Sequence, residues 1–321
     1  MIVWSTHALH PAVTARLAAV CDFRVTSTPT ATMAEALDAD ILIVRAPVPA
    51  EYFAAAKNLR AAVRHGAGLD MIPMEAATAA GVVVANVPGA NASTVAEYAV
   101  FAALALLRGF AEIDRTLRTQ GWTDARAVTD RSRDLATRTL GIYGFGNIGQ
   151  ALHRLGAAFG MTVVAHTRRP ATLPADVQPL SLDALCAASD VLVVCCPLTP
   201  ETRGTINAAR LAAMKPGAAL INVARGPILD TPAVSAALQA HRICAALDVF
   251  DVQPLPADSL LWSLPNVIVT PHMAGITADS MLRMGQVTAD EVMRLVAGHW
   301  PVNLCNPDVV PRVALSRAPP D

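Results

Sequence analysis

Short apolar runs alternate with helix-period stretches over the first hundred residues. Ile2–Trp4, Ile41–Val44, Ala61–Arg64 and Val82–Ala85 read as strands, and Ala12–Val20, Glu51–Lys57 and Met74–Ala80 as helices. Such alternation predicts a parallel sheet wrapped in helices. From Asn91 to about Leu117 runs one long helical pattern, apolar almost all round in its middle, which predicts a buried helix. A second series follows: strands at Thr139–Tyr143, Thr162–His166, Val191–Cys195, Ala219–Val223, Ile243–Leu247 and Val267–Val269, and helices at Asn147–Phe159 and about Ala278–Ala297. Two α/β units joined by long helices imply a discontinuous arrangement, in which the chain leaves the first domain, builds the second and returns. The Pro-containing tail after Asn306 reads as poorly ordered.

Bulk composition sharpens this picture. A length of 321 residues favours two domains, and 53% hydrophobic against 16% charged residues predicts a large core. A net charge of −1 supplies no global basic field, so nucleic acid and membrane surfaces are not expected partners. The longest apolar stretch, Tyr98–Leu107, is too short to span a bilayer, and the amino terminus reads as a strand, not a signal peptide. The six cysteines, Cys21, Cys186, Cys195, Cys196, Cys244 and Cys305, form no C-x-x-C pair. They read as buried thiols of a cytoplasmic protein, with no metal site.

Four ordered elements carry the chemistry. Gly144-Phe145-Gly146-Asn147-Ile148-Gly149 follows an apolar strand and opens a helix, which is the context of a dinucleotide cradle. Gly144 permits the turn, Gly146 lets backbone approach a pyrophosphate, and Gly149 lets helix pack on strand. Where an acid would hold an adenosine ribose about twenty residues on, the chain has His166-Thr167-Arg168-Arg169. A hydroxyl and two guanidinium groups suit a 2′-phosphate, so NADP(H) is expected over NAD(H). Arg225 and His272 supply what hydride transfer to a 2-keto acid needs, a cation for the carboxylate and an acid for the carbonyl oxygen. Gln253 stands where that scheme favours a carboxylate.

Together these residues resemble the D-isomer-specific 2-hydroxyacid dehydrogenase family, which includes glyoxylate/hydroxypyruvate reductases and phosphoglycerate dehydrogenases. The matching segments are Arg64-His-Gly-Ala-Gly68-Leu-Asp70, Asn91–Glu97, the glycine loop, Pro197–Thr202, Asn222–Gly226, Ala246–Phe250 and Thr270–Gly275. The resemblance implies two Rossmann-like parallel-sheet domains: a discontinuous substrate domain of residues 1–97 and 284–321, and a dinucleotide-binding domain of residues 98–283. The active site is expected in the cleft between them. The resemblance further assigns Arg225 to the substrate carboxylate and His272 to acid/base work, while Asp248 looks like the residue that fixes the nicotinamide carboxamide. The backbone amides of Ala67 and Gly68 would hold the carboxylate's other side, and Arg45 could meet a second anionic group. Arg64 and, more loosely, Trp122 border the same pocket. Thr94, Pro197, Thr202, Ala224 and Gly275 lie in segments that contact the cofactor. A homodimer is the family expectation, with Asn91–Leu117 as its apolar face.

Gln253 is the departure from the family pattern, which has Glu before this proline. A carboxylate would raise the histidine pKa by roughly one to three units, and Gln supplies no charge. A keto-acid reductase built this way should lose activity nearer the ordinary histidine value of about 6.5. Formate dehydrogenases of the same superfamily pair Gln with His there, because formate oxidation needs no general acid, so formate-type hydride transfer is one alternative. The other is a dinucleotide-sensing interaction protein like the C-terminal-binding-protein corepressors. The leading expectation is an NADP(H)-dependent reductase of glyoxylate, hydroxypyruvate or a similar small 2-keto acid.

Overall fold

Twelve strands among the described residues form two all-parallel sheets. The structure, a computed structural model, describes residues 1–317. It divides into two units, Met1–Asn91 with Ile276 onward, and Ala92–Gly275.

The first unit holds β1 (Ile2–Ser5), β2 (Asp22–Val25), β3 (Ile41–Val44), β4 (Ala61–Arg64) and β5 (Val83–Ala85), in the order β2-β1-β3-β4-β5. The central strand β3 is buried on both faces, which explains its unbroken Ile-Leu-Ile-Val run. The edge strand β2, Asp-Phe-Arg-Val, escapes the hydrophobic pattern because its residues are exposed or half-buried. Polar residues are what a protected sheet edge carries.

The second unit holds β6 (Thr139–Tyr143), β7 (Thr162–His166), β8 (Gln178–Pro179), β9 (Val191–Val194), β10 (Ala218–Asn222), β11 (Ile243–Leu247) and β12 (Val267–Val269), in the order β12-β11-β10-β9-β6-β7-β8. The order reverses direction between β6 and β9, the topological switch point at which open α/β sheets bind ligands. One sheet face packs on the helices Ala92–Arg108 and Asn147–Ala158 through residues such as Ala99, Ala103, Leu140 and Leu152. The other face buries Leu185, Leu192, Leu220 and Leu238.

Three expectations are corrected. The long helix predicted over Asn91–Leu117 is two helices, Ala92–Arg108 and Phe110–Thr119, bent by 54° at Gly109. Gly109 has φ 63°, the left-handed conformation that ends a helix at little cost only for glycine. The tail after Asn306 is ordered through residue 317. The Arg312 guanidinium donates to the carbonyls of Phe53, Ala56, Leu59 and Ala80, and Val309 is buried. A basic side chain thus anchors a segment that its prolines made look loose, while residues 318–321 of that tail lie outside the described residues. The domain boundaries expected at 97/98 and 283/284 fall inside helices. The units divide instead at Asn91/Ala92 and Gly275/Ile276. A rigid helix goes whole with the sheet it packs on: Ala92–Arg108 joins Asn147–Ala158 and β10, and Ala278–Val296 joins the helix Pro11–Ala18 and β4.

The pattern also passed over the helices Trp122–Val128, Leu182–Ala188, Ala208–Ala213 and Thr231–Gln239. Three of them carry a legible start signal. Ser181, Asn207 and Asp230 each cap the helix that follows by accepting a backbone amide three residues on. Among the described residues no single helix is long and apolar enough to cross a membrane, and no cluster of His, Cys, Asp or Glu has the makings of a metal site.

Candidate active site

The glycine loop joins β6 to the helix Asn147–Ala158 at the switch point. A Cβ on Gly144 would lie 2.6 Å from the Cys196 backbone at the end of β9, and one on Gly149 would lie 2.5 Å from the Gly144 carbonyl oxygen. Both glycines are therefore demanded by the chain's own packing. Gly146 is different, because a Cβ there meets nothing within 4 Å. Nothing in the protein crowds that exposed position, and its bare backbone leaves room for a ligand group to approach closely. The helix it caps is twelve residues long with no acid in its first turn, so its positive end is left unneutralised for an anion. These residues fit a dinucleotide pyrophosphate.

Beyond β7, His166 is held by its Nδ1 on the Leu180 carbonyl at 2.9 Å, and Thr167 accepts the Arg169 amide at 3.3 Å. Arg168 and Arg169 are exposed, and no acid stands among residues 166–169. Across the switch point, Thr202 donates to the Pro197 carbonyl at 2.9 Å and accepts the Thr199 amide at 2.8 Å, which fixes the loop after β9. Thr94 is buried on the helix Ala92–Arg108, and Ala224 is buried after β10.

Arg225, Gln253 and His272 follow β10, β11 and β12, three neighbouring parallel strands. Strands about 4.8 Å apart place these carboxyl ends within roughly 10 Å of one another. Arg225 continues extended from β10, with the Asn222 amide donating to its carbonyl at 2.9 Å and the Asn222 Oδ1 accepting the Ala224 amide at 3.1 Å. Its guanidinium donates to the Ala224 carbonyl at 2.6 Å. Gly226 packs without a side chain on the 250–251 backbone, where a Cβ would come within 2.1 Å of the Phe250 carbonyl carbon. That approach ties the turn after Arg225 to the loop that bears Gln253.

His272 adopts φ 57°, a conformation rare outside glycine and costing of order 1–3 kcal/mol. The turn is over-determined by Asp248, which is only 1% exposed. The Asp248 carboxylate accepts the Thr270 hydroxyl at 2.7 Å, the Met273 amide at 2.8 Å and the Ala274 amide at 2.9 Å, and its backbone carbonyl accepts the His272 amide at 2.8 Å. Tyr98 reaches Thr270 at 2.6 Å. Gln253 Oε1 lies 3.2 Å from His272 Nδ1. A carbonyl oxygen only accepts, so Nδ1 carries the hydrogen and Nε2 is the nitrogen left to exchange a proton. Sequence reasoning missed Tyr98, Asn222 and Thr270 as positioning residues. Asn222 and Thr270 lie inside segments that match the family, but nothing local marks Tyr98, whose partner lies 172 residues away.

Arg45, Ala67 and Gly68 belong to the first unit, at the carboxyl ends of β3 and β4. The Thr6 hydroxyl accepts the amides of Arg45 and Ala46 at 2.8 and 3.1 Å, and the Arg45 guanidinium donates to the Ala8 carbonyl at 2.7 Å. Arg64 donates to the carbonyls of Val44, His65 and Gly68, which braces the loop that bears Ala67. Behind them His65 is 4% exposed, and its Nε2 is buried without a hydrogen-bond partner. Burial first, then the charge of Arg45, pushes the His65 pKa down to about 4. Burial, then Arg45 and Arg64, also lowers that of His7. Burial raises all six thiols, which makes them weak nucleophiles.

Residues 100–274 match the family model described as the NAD binding domain of D-isomer specific 2-hydroxyacid dehydrogenases. Among curated relatives, the D-3-phosphoglycerate dehydrogenase of Mycobacterium leprae is 38% identical over 279 residues, covering 84% of this chain and 52% of that protein. The hydroxypyruvate reductase of Thermotoga maritima is 36% identical over 263 residues, covering 80% of this chain and 85% of that one. The chain thus spans about half the length of the D-3-phosphoglycerate dehydrogenases it matches. A solved NADPH-dependent glyoxylate/hydroxypyruvate reductase from Sinorhizobium meliloti, in complex with NADP and malonate, superposes with a TM-score of 0.83 at 28% identity, covering 99% of both chains.

Proposed function

Because this chain belongs to the D-isomer specific 2-hydroxyacid dehydrogenase family, we propose that it is an NADP(H)-preferring reductase of small 2-keto acids such as glyoxylate or hydroxypyruvate. The observation that supports the reading is that Arg225 and His272 follow β10 and β12, two of three neighbouring parallel strands, with Gln253 Oε1 at 3.2 Å from His272 Nδ1. A bound dihydronicotinamide supplies the hydride for the carbonyl carbon. Arg225 binds the carboxylate and the keto oxygen through its planar fork and stabilises the negative charge that grows there. His272 gives its Nε2 proton to that oxygen as the carbonyl π bond breaks, and the product is the 2-hydroxy acid. Gln253 holds the ring by accepting from Nδ1, and Asp248 holds the turn and the nicotinamide end of the cofactor. In the first unit, the Ala67 and Gly68 amides and Arg45 are anion-holding groups.

The cofactor preference rests on Thr167, Arg168 and Arg169 standing where NAD sites keep an acid. The S. meliloti enzyme, described as NADPH-dependent, lends support at the level of its relatives. The test is a spectrophotometric panel of NADPH and NADH against glyoxylate, hydroxypyruvate, pyruvate and phenylpyruvate, with formate in reverse, from pH 5 to 9. A kcat/KM for NADPH below that for NADH overturns the cofactor assignment. Formate oxidation without keto-acid reduction overturns the reaction.

Assembly as a homodimer is part of the proposal. Phe101, Phe110 and Trp122, on successive helices of the second unit, are 59%, 60% and 73% exposed. Three large apolar side chains left exposed on three successive helices favour a second copy as their cover. Light scattering of Phe101→Asp should report a monomer where the unaltered chain is dimeric.

A further inference from the structure

A cavity of about 320 Å³ lies between the helix Thr231–Gln239 and the loop from Val249 to Leu261. Its walls are apolar: Leu229, Val234, Leu247, Val249, Leu255 and Leu261. The volume is roughly twice the ~150 Å³ that holds a benzene ring, and at the low end of the about 300–1,000 Å³ of small-molecule sites. Two of its lining residues, Asp251 and Asp258, are exposed carboxylates, and no Lys, Arg or His lines it. Val252 and Leu260, also on its wall, are 61% and 40% exposed, so apolar surface continues outward beside the two acids.

We propose that this cavity is a second binding site, for a small aryl- or alkyl-ammonium compound. The apolar portion fills the space among Val234, Leu247 and Leu261, and the ammonium group meets Asp258, while the Asp251 carboxylate, which accepts the Thr231 hydroxyl at 2.6 Å, adds negative charge to the same wall. The charge arrangement selects against the keto acid and the cofactor phosphates of the proposed reaction, so this is no overflow site for either. Gly226 and Phe250 line the same cavity. An occupant therefore touches the turn after Arg225 and the loop that carries Gln253.

Isothermal titration of the full chain with 2-phenylethylammonium, 2-phenylethanol and 3-phenylpropanoate tests the assignment. The ammonium compound should bind saturably, the alcohol about fivefold more weakly, as exposed ion pairs permit, and the carboxylate not at all. Ser235→Phe, which fills the cavity from its helix side, should abolish the binding. Asp258→Asn, an exposed change that leaves the core alone, should bring the ammonium compound down toward the alcohol. Thermal melts of both variants check that each is folded. Equal binding of the three compounds, unchanged binding in folded Ser235→Phe, or no heat from the ammonium compound up to about 10 mM overturns the proposal.

Discussion

The two sheets end in different electrostatic settings, although both are parallel and both gather polar residues at their carboxyl ends. In the first unit burial depresses His65 most, and the charged groups that act on it, Arg45, Arg64 and His7, are all of one sign and depress it further. In the second unit one buried carboxylate, Asp248, organises the Thr270–Ala274 turn, and a neutral Gln253 meets the histidine. The contrast teaches that strand topology supplies places, whereas a few polar residues decide what those places can do. A field of like charge suits holding an anion. A fixed carboxylate suits pinning a strained turn in which an imidazole must point one way.

Removing the cation of the second edge should have the largest effect. Arg225→Ala is expected to lower kcat/KM for the keto acid by about 100- to 1,000-fold, and Arg225→Lys should recover little, because an ammonium lacks the planar fork. Steady-state kinetics checks both. If Arg225→Ala is near wild type, the comparison loses its catalytic half.

The next effect belongs to the first edge. His65 has a folded pKa of about 4 against an ordinary value of 6.5. Between those values the unfolded chain takes up a proton that the folded chain refuses, so stability falls as pH drops from about 6.5 to about 4. Above that window the residue contributes no pH dependence. The full loss is about 3 kcal/mol. Urea melts across this range should show a flatter pH dependence in His65→Gln than in the unaltered chain. Parallel curves would mean that His65 does not titrate as its surroundings imply.

Asp248→Ala leaves the Met273 and Ala274 amides and the Thr270 hydroxyl without their acceptor, and should cost about 2 kcal/mol of stability. Its activity should fall further than its melting temperature suggests, because His272 loses the turn that holds it. The smallest effect sharpens the neutral side of the contrast. Gln253→Glu places a carboxylate on His272 Nδ1 and should move the alkaline limb of the reduction profile upward by about one unit or more. An unmoved limb in the glutamate variant would detach that titration from His272.

Much of the fold was legible because doubly buried strands are short apolar runs. β3, β4, β6, β7 and β11 lie where those runs stood. What escaped did so for physical reasons. β2 is an edge with polar residues, and the break at Gly109 turns on one backbone conformation inside an apolar stretch. The ordered tail depends on one arginine reaching carbonyls more than 230 residues away. At the site, residues that contribute by their type, such as Arg225, His272 and the glycines, stood out in the chain. Residues that contribute by position, such as Tyr98, did not.

The sequence alone determined the α/β alternation, the glycine loop and the absence of an acid after β7, because each is a local pattern with a local cause. Only the tertiary structure decided that Asp248 closes its three hydrogen bonds on a distant turn, that Gln253 meets Nδ1 rather than Nε2, and that Gly226 lies against the 250–251 backbone. These depend on which strands become neighbours. Neighbours in a parallel sheet are brought together by crossovers tens of residues long, over which no local preference carries information.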